Sequence, residues 1–127
     1  MTKQDLNGTK LVTMDLSAKL GKEEPLVLIY HTHGSETYKK VNGKEGSVIE
    51  VGTALTKELE NVYGIKTVHD KSVYDMVDGQ LDRNAAYNFA GDSVEAALRK
   101  NPSVKVVIDL HRDSVENNIH LRTKVNG

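Results

Sequence analysis

Two short segments place ionisable side chains directly after apolar runs that read as buried strands. The first is Leu26-Val-Leu-Ile-Tyr-His-Thr-His-Gly-Ser-Glu36, in which His31, His33 and Glu36 follow the run Leu26 to Tyr30. The second, Val104-Lys-Val-Val-Ile-Asp-Leu-His-Arg-Asp113, repeats the design and delivers His111 at its end. Imidazole and carboxylate together suit zinc, and a site with three protein ligands keeps a coordination position open for water, which is the catalytic arrangement rather than the structural one. Open parallel sheets bind ligands at the carboxyl ends of their strands, so two strands that end in histidine point at one site.

Several assignments stay open on the residues alone. Side chains two apart on an extended segment share a face, so His31, His33 or both can reach a metal. The bland alternative is a polar loop with two solvated histidines. Glu36 is the nearest carboxylate, with Glu45 and Asp113 as rivals, and most glutamates simply face water. A buried strand that runs into Asp109, His111, Arg112 and Asp113 is costly unless those groups are paired or functional. Asp109 or Asp113 can orient a ligating imidazole through its other nitrogen. Arg112 can hold a substrate carboxylate through two parallel hydrogen bonds. Against this stands an Asp–Arg structural pair with a capping histidine. His69 and His120 lack such a context and read as surface or edge residues; Tyr38, Tyr74 and Tyr87 read first as packing.

The elements that must position these groups follow from periodicity. Lys10 to Asp15 reads as a short strand or a structured lead-in, and Leu26 to Tyr30 as a buried strand after Pro25. Thr32 to Gly46 reads as a long polar loop. Val48, Val51, Gly52, Leu55, Leu59 and Val62 recur at helical spacing over Ser47 to Tyr63, with Gly64 placed as a C-cap and Ile65 to His69 as the next strand. Strands joined through a helix in this way lie parallel. Val73 to Asp82 reads as another connection, and Arg83 to Lys100 as a helix with an apolar stripe of Ala86, Phe89, Ala90, Val94, Ala97 and Leu98. Asn101-Pro102 stops it, and Val104 to Leu110 is the third strand. Asn118 to Gly127 alternates in polarity and finishes on Asn126-Gly127, a strong hairpin signal, so a return strand is expected beyond it.

Composition bounds the rest. The 127 residues suit one domain, here read as a lead-in over 1–24 and the N-terminal and central part of a single domain over 25–127. With 18 acidic against 17 basic residues, no net field argues for nucleic acid or an anionic membrane. The absence of cysteine removes disulfides, thiolate nucleophiles and cysteine-type zinc sites. No apolar run approaches a membrane span, and Met1 to Gly8 lacks the apolar core of a signal peptide, so any export signal is expected outside this chain.

Together, Val27-Leu-Ile-Tyr-His-Thr-His-Gly-Ser-Glu36, Val48-Ile-Glu-Val-Gly52, Gly64-Ile-Lys-Thr-Val-His-Asp70 and the segment Asn101 to Asp113 resemble the amidase domain of the stage II sporulation protein P family. The pieces run in family order and cover most of Leu26 to Asp113; the HTHxxE and DLHRD pair is the specific part. The resemblance implies an α/β fold, a mostly parallel sheet flanked by helices, zinc amidase-like and incomplete at the C-terminus. It implies one zinc ion on His33, Glu36 and His111, with His31, Asp109, Arg112 and Asp113 as supporting or substrate-contacting residues. It further implies a hydrolase that cuts the N-acetylmuramoyl-L-alanine amide bond of peptidoglycan during engulfment, on the cell-wall side of the membrane. The sporulation lytic transglycosylase, stage II sporulation protein D, is the partner it suggests. The general acid/base glutamate of the family falls on a late strand, expected beyond Gly127; Glu116 lies too close to the motif to be that residue. This segment alone is therefore expected to be impaired. Two rivals remain: a catalytically inert peptidoglycan-binding or regulatory fragment, and a non-metallic α/β domain whose histidines bind an anion.

Overall fold

The structure is a computed structural model that describes residues 8–15, 17, 23–41 and 44–112. Its centre is β1 (Val27–Tyr30), flanked by β4 (Thr67–His69) and β7 (Val106–Asp109) in a parallel three-stranded sheet of order β4-β1-β7. Val27, Leu28 and Ile29 are buried, as expected of a central strand covered on both faces. Ile29 lies level with both His69 and Ile108, and Tyr30 with Asp109, so the three strands finish at nearly the same height. This is the α/β architecture that the alternation of apolar runs and helical stripes predicts.

Helix α2 (Val48–Asn61) links β1 to β4, and α3 (Arg83–Lys100) links β4 to β7. The two crossovers step across the sheet in opposite directions, and right-handed connections then put their helices on opposite faces. Side-chain contacts agree. Gly52 of α2 packs on His31 and His69, whereas Ser93 of α3 donates its hydroxyl to Asp70 at 3.3 Å. Helix α2 begins with a capping box: Glu50 N–H donates to the Ser47 hydroxyl, and Ser47 N–H to the Glu50 carboxylate. Asp82 caps α3 by accepting from the N–H groups of Asn84 and Ala85, both at 3.0 Å. The Asn101 side-chain amide closes its other end on the Ala97 carbonyl. Sequence and structure agree on both ends of α3.

The segment read as a short strand or a structured lead-in over Lys10 to Asp15 contains a short helix, α1 (Gly8–Thr13), so the strand alternative is corrected, and three further expectations are corrected with it. The loop expected over Thr32 to Gly46 carries the antiparallel strands β2 (Thr37–Val41) and β3 (Lys44–Ser47). Their side chains are largely polar, so no apolar alternation announces them. The connection Val73 to Asp82 contains a second small hairpin, β5 (Met76–Val77) and β6 (Gln80–Leu81), turned at Asp78-Gly79 with φ of 50° and 78°. Positive φ at both turn residues is what a type I′ hairpin requires. Phe89, placed in the α3 stripe, is 50% exposed; Ala86 and Ala90 are the residues that α3 buries. The expected alternating segment Asn118 to Gly127, with His120 and the Asn126-Gly127 turn, lies outside the described residues.

Candidate metal centre

Beyond Tyr30 the chain leaves the extended conformation and makes a tight turn over residues 32–35. Two carboxylates hold that turn. Asp109, the last residue of β7, accepts from Thr32 N–H at 2.9 Å and from the Thr32 hydroxyl at 2.6 Å. Asp75, fully buried, does the same for Ser35, at 3.1 Å from its N–H and 2.5 Å from its hydroxyl. Sequence reading overlooked Asp75; a carboxylate inside an apolar stretch between Tyr74 and Met76 was the available signal.

The turn separates the two histidines of the motif, so the shared face expected of an extended segment is lost. His31 is completely buried beneath α2, with Nδ1 at 2.9 Å from the Leu110 carbonyl and Nε2 at 2.9 Å from His69 Nε2. His33 instead stands against His111 and Tyr87, with ring centroids at 5.1 and 5.4 Å, both edge-on. Tyr87, expected to pack, is 59% exposed beside it. His69 is no surface residue: it is half-buried against His31, and burial, then the neighbouring His31 and Lys71, hold its imidazole below the usual range.

Among the described residues, His33, Glu36 and His111 form a group whose ligand atoms lie within 4.8 Å of one another, suited to a metal ion. Glu36 is 9% exposed, and one of its oxygens accepts from Arg112 N–H at 2.9 Å. His111 turns Nε2 toward Asp109, at 2.9 Å from Oδ2, and Nδ1 toward Glu36, at 3.9 Å from Oε2. Burial pushes the Asp109 carboxyl up, but bonds from Thr32 and His111 outweigh it and hold the group below the usual carboxylate range. The Asp109 carboxylate thus fixes the imidazole: Nε2 carries the hydrogen, and the Nδ1 lone pair faces Glu36. His33 Nε2 is buried and lacks a hydrogen-bond partner. A buried nitrogen without a partner is costly, and a metal held between His33, Glu36 and His111 would satisfy it. The guanidinium Nε of Arg112 is likewise buried and unpartnered.

The remaining candidates fall elsewhere. Glu45 sits on β3 and accepts from the Thr37 hydroxyl at 2.9 Å, apart from the group. Asp113 lies outside the described residues. No helix among the described residues is long and apolar enough to cross a membrane. Comparison with curated proteins and with solved structures returns no match. The family model described as stage II sporulation protein P matches residues 2–127, nearly the whole chain. This chain therefore belongs to the stage II sporulation protein P family, and so to the proteins of sporulation.

Proposed function

We propose that the protein is a zinc-dependent N-acetylmuramoyl-L-alanine amidase that acts on peptidoglycan as the cell wall is remodelled in engulfment. The observation that carries the reading is the convergence of two imidazoles and a carboxylate, His33, Glu36 and His111, from the ends of strands β1 and β7. Family membership supports the sporulation role, and the donor set supports zinc, which favours nitrogen and oxygen ligands in this proportion in hydrolytic sites. A zinc ion held by His33, Glu36 and His111 would lower the pKa of a bound water to about 7 and would polarise the scissile carbonyl.

The chain's own residues do the rest. His33, Glu36 and His111 hold the ion, and Asp109 keeps His111 in the ligating tautomer. Arg112 brings a positive charge beside the group, suited to a carboxylate of the stem peptide. Tyr87, exposed on α3 against His33, is placed to contact a substrate held at the group. Glu36 and Asp109 are both engaged, so neither is assigned the transfer of a proton to the leaving amine. Peptidoglycan as substrate puts the site of action on the cell-wall side of the membrane, where stage II sporulation protein D is a partner of matching chemistry.

The test is stoichiometry followed by turnover. Protein dialysed against trace zinc should retain about one equivalent, as a single three-ligand site requires. His111→Ala should abolish retention. Zinc-loaded protein that also carries the late-strand glutamate expected of the family should release peptides with free L-alanine amino groups from purified peptidoglycan, and chelation should stop it. Undiminished zinc retention by His111→Ala would sink the site; release of sugars rather than peptides would sink the amidase.

A further inference from the structure

His31 and His69 touch through their Nε2 atoms at 2.9 Å, in a place no solvent reaches on the His31 side. Their hydrogens can be assigned. The Leu110 carbonyl only accepts, so His31 Nδ1, at 2.9 Å, must donate to it. A neutral His31 then presents a bare Nε2, and His69 Nε2–H must donate to that. His69 Nδ1 is left as a lone pair, and it is indeed buried without a partner. The pair therefore has one neutral arrangement, running from His69 through His31 to the Leu110 carbonyl.

This chain of bonds joins the ends of all three strands. His69 closes β4, His31 follows β1 and Leu110 follows β7. Leu110 directly precedes His111, and His31 stands two residues before His33. The two ends so joined are 79 residues apart in the chain. Helix α2 seals the pair from above at Gly52. A Cβ there would stand 2.6 Å from His69 Nε2 and 2.8 Å from both Cε1 and Nε2 of His31, so only glycine lets the helix approach.

We propose that His69, acting through His31, is a positioning residue that sets the spacing between the two chain segments carrying His33 and His111. The proposal rests on the zinc reading above and adds to it a residue that touches neither metal nor substrate. A core-filling role alone predicts that any apolar side chain of similar size serves. A positioning role predicts that the donor at the Nε2 position is what matters. His69→Gln keeps an N–H near that position, whereas His69→Leu removes it and leaves His31 Nε2 unpaired. Gly52→Ala displaces the pair while retaining every polar group.

The experiment measures zinc affinity by competition, the visible spectrum of the cobalt-substituted protein as a signature of ligand geometry, and thermal unfolding of the metal-free protein. His69→Gln should bind zinc nearly as the wild type does, with the wild-type cobalt spectrum. His69→Leu and Gly52→Ala should each lose on the order of tenfold or more in affinity, the size of outer-shell losses, with an altered spectrum at temperatures where the metal-free protein stays folded. Wild-type affinity and spectrum in folded His69→Leu or Gly52→Ala would overturn the proposal, as would His69→Gln failing as badly as His69→Leu. Imidazole ¹⁵N shifts of the metal-free wild type separate this from the zinc reading. His31 should carry its hydrogen on Nδ1 and His69 on Nε2 whether or not metal binds, and the opposite tautomers would overturn the latch. A wild type with these tautomers that takes up no zinc would instead overturn the zinc reading, and the positioning role with it.

Discussion

His31 and His33 are two residues apart and chemically identical, yet the fold gives them opposite environments. His31 is satisfied at both nitrogens and completely buried, whereas His33 keeps a buried nitrogen with no partner. Their alanine variants should therefore fail in different ways, His31→Ala through stability with a partial loss of zinc affinity and His33→Ala through metal binding itself. His31→Ala should destabilise the metal-free protein by about 2–4 kcal/mol, from two lost hydrogen bonds and a cavity. His33→Ala should cost the metal-free protein little, because it removes an unpaired polar atom, and should abolish zinc retention; denaturant unfolding and metal titration of the two variants check both statements. Asp109 is a second such case. Replacing it by asparagine leaves one acceptor oxygen for three donors and allows the wrong His111 tautomer, so zinc affinity should fall about 10–100-fold in competition titrations. The residue types of this site were legible in the sequence, and so was their strand-end position. What was not legible was the turn at 32–35, because the carboxylates that hold it, Asp75 and Asp109, come from remote parts of the chain.

Elements whose ends carry their own chemistry were readable. Helix α3 starts at the Asp82 cap and ends before Asn101-Pro102, and α2 has its capping box in Ser47 and Glu50. The small hairpins were harder, for different reasons. Strands β2 and β3 are largely polar in sequence, so no apolar alternation marks them; the residues that flank them are tied by Val48 N–H donating to the Glu36 carbonyl at 3.1 Å. The β5–β6 hairpin did carry a local signal, Asp78-Gly79, which the short flanking strands obscured. Phe89 misled because an apolar residue on a helical stripe is expected inside, whereas α3 buries the small Ala86 and Ala90 and leaves Phe89 half exposed. The end of α2 offers a clean test of backbone strain. Gly64 has φ of 66°, and nothing lies within 4 Å of where a Cβ would stand. Gly64→Ala should then cost about 1 kcal/mol of stability through conformation alone, measured by urea unfolding with an unchanged m-value.

At the scale of the molecule, Asp70 ties the end of β4 to the following loop and to α3. It accepts from Ser72 N–H, from the Tyr74 hydroxyl and from the Ser93 hydroxyl. Burial pushes its carboxyl up, but these donors outweigh burial and hold it below the usual range. A carboxylate depressed in the folded state stabilises fully above its unfolded pKa of about 4, and that contribution is lost as pH falls through the folded value. Asp70→Asn should accordingly destabilise by about 1 kcal/mol at neutral pH, and the gap to wild type should close below about pH 4. Equal differences at both pH values would show that charge has no part in it. The fold class was legible because β1 is apolar on both faces and the helical stripes stand between the apolar runs. The order of the strands was not, since nothing local says that β7 returns to pair with β1 rather than with β4.

That return has a kinetic consequence. Val27 pairs with Val106, and the candidate metal centre draws His33 and Glu36 from the residues just beyond the first of these strands and His111 from just beyond the last. The ligand set is complete only after the most distant segments of the described chain have met, a step whose loop-closure entropy makes it late. A zinc ion held there would arrive too late to guide the search and would act as a clasp on its product. It should slow unfolding in proportion to its binding energy and leave the refolding rate nearly unchanged, the pattern of an interaction absent from the transition state. Stopped-flow refolding and unfolding with and without zinc would show it in one limb of the chevron, and acceleration of refolding by zinc would mean that the two strand ends meet early.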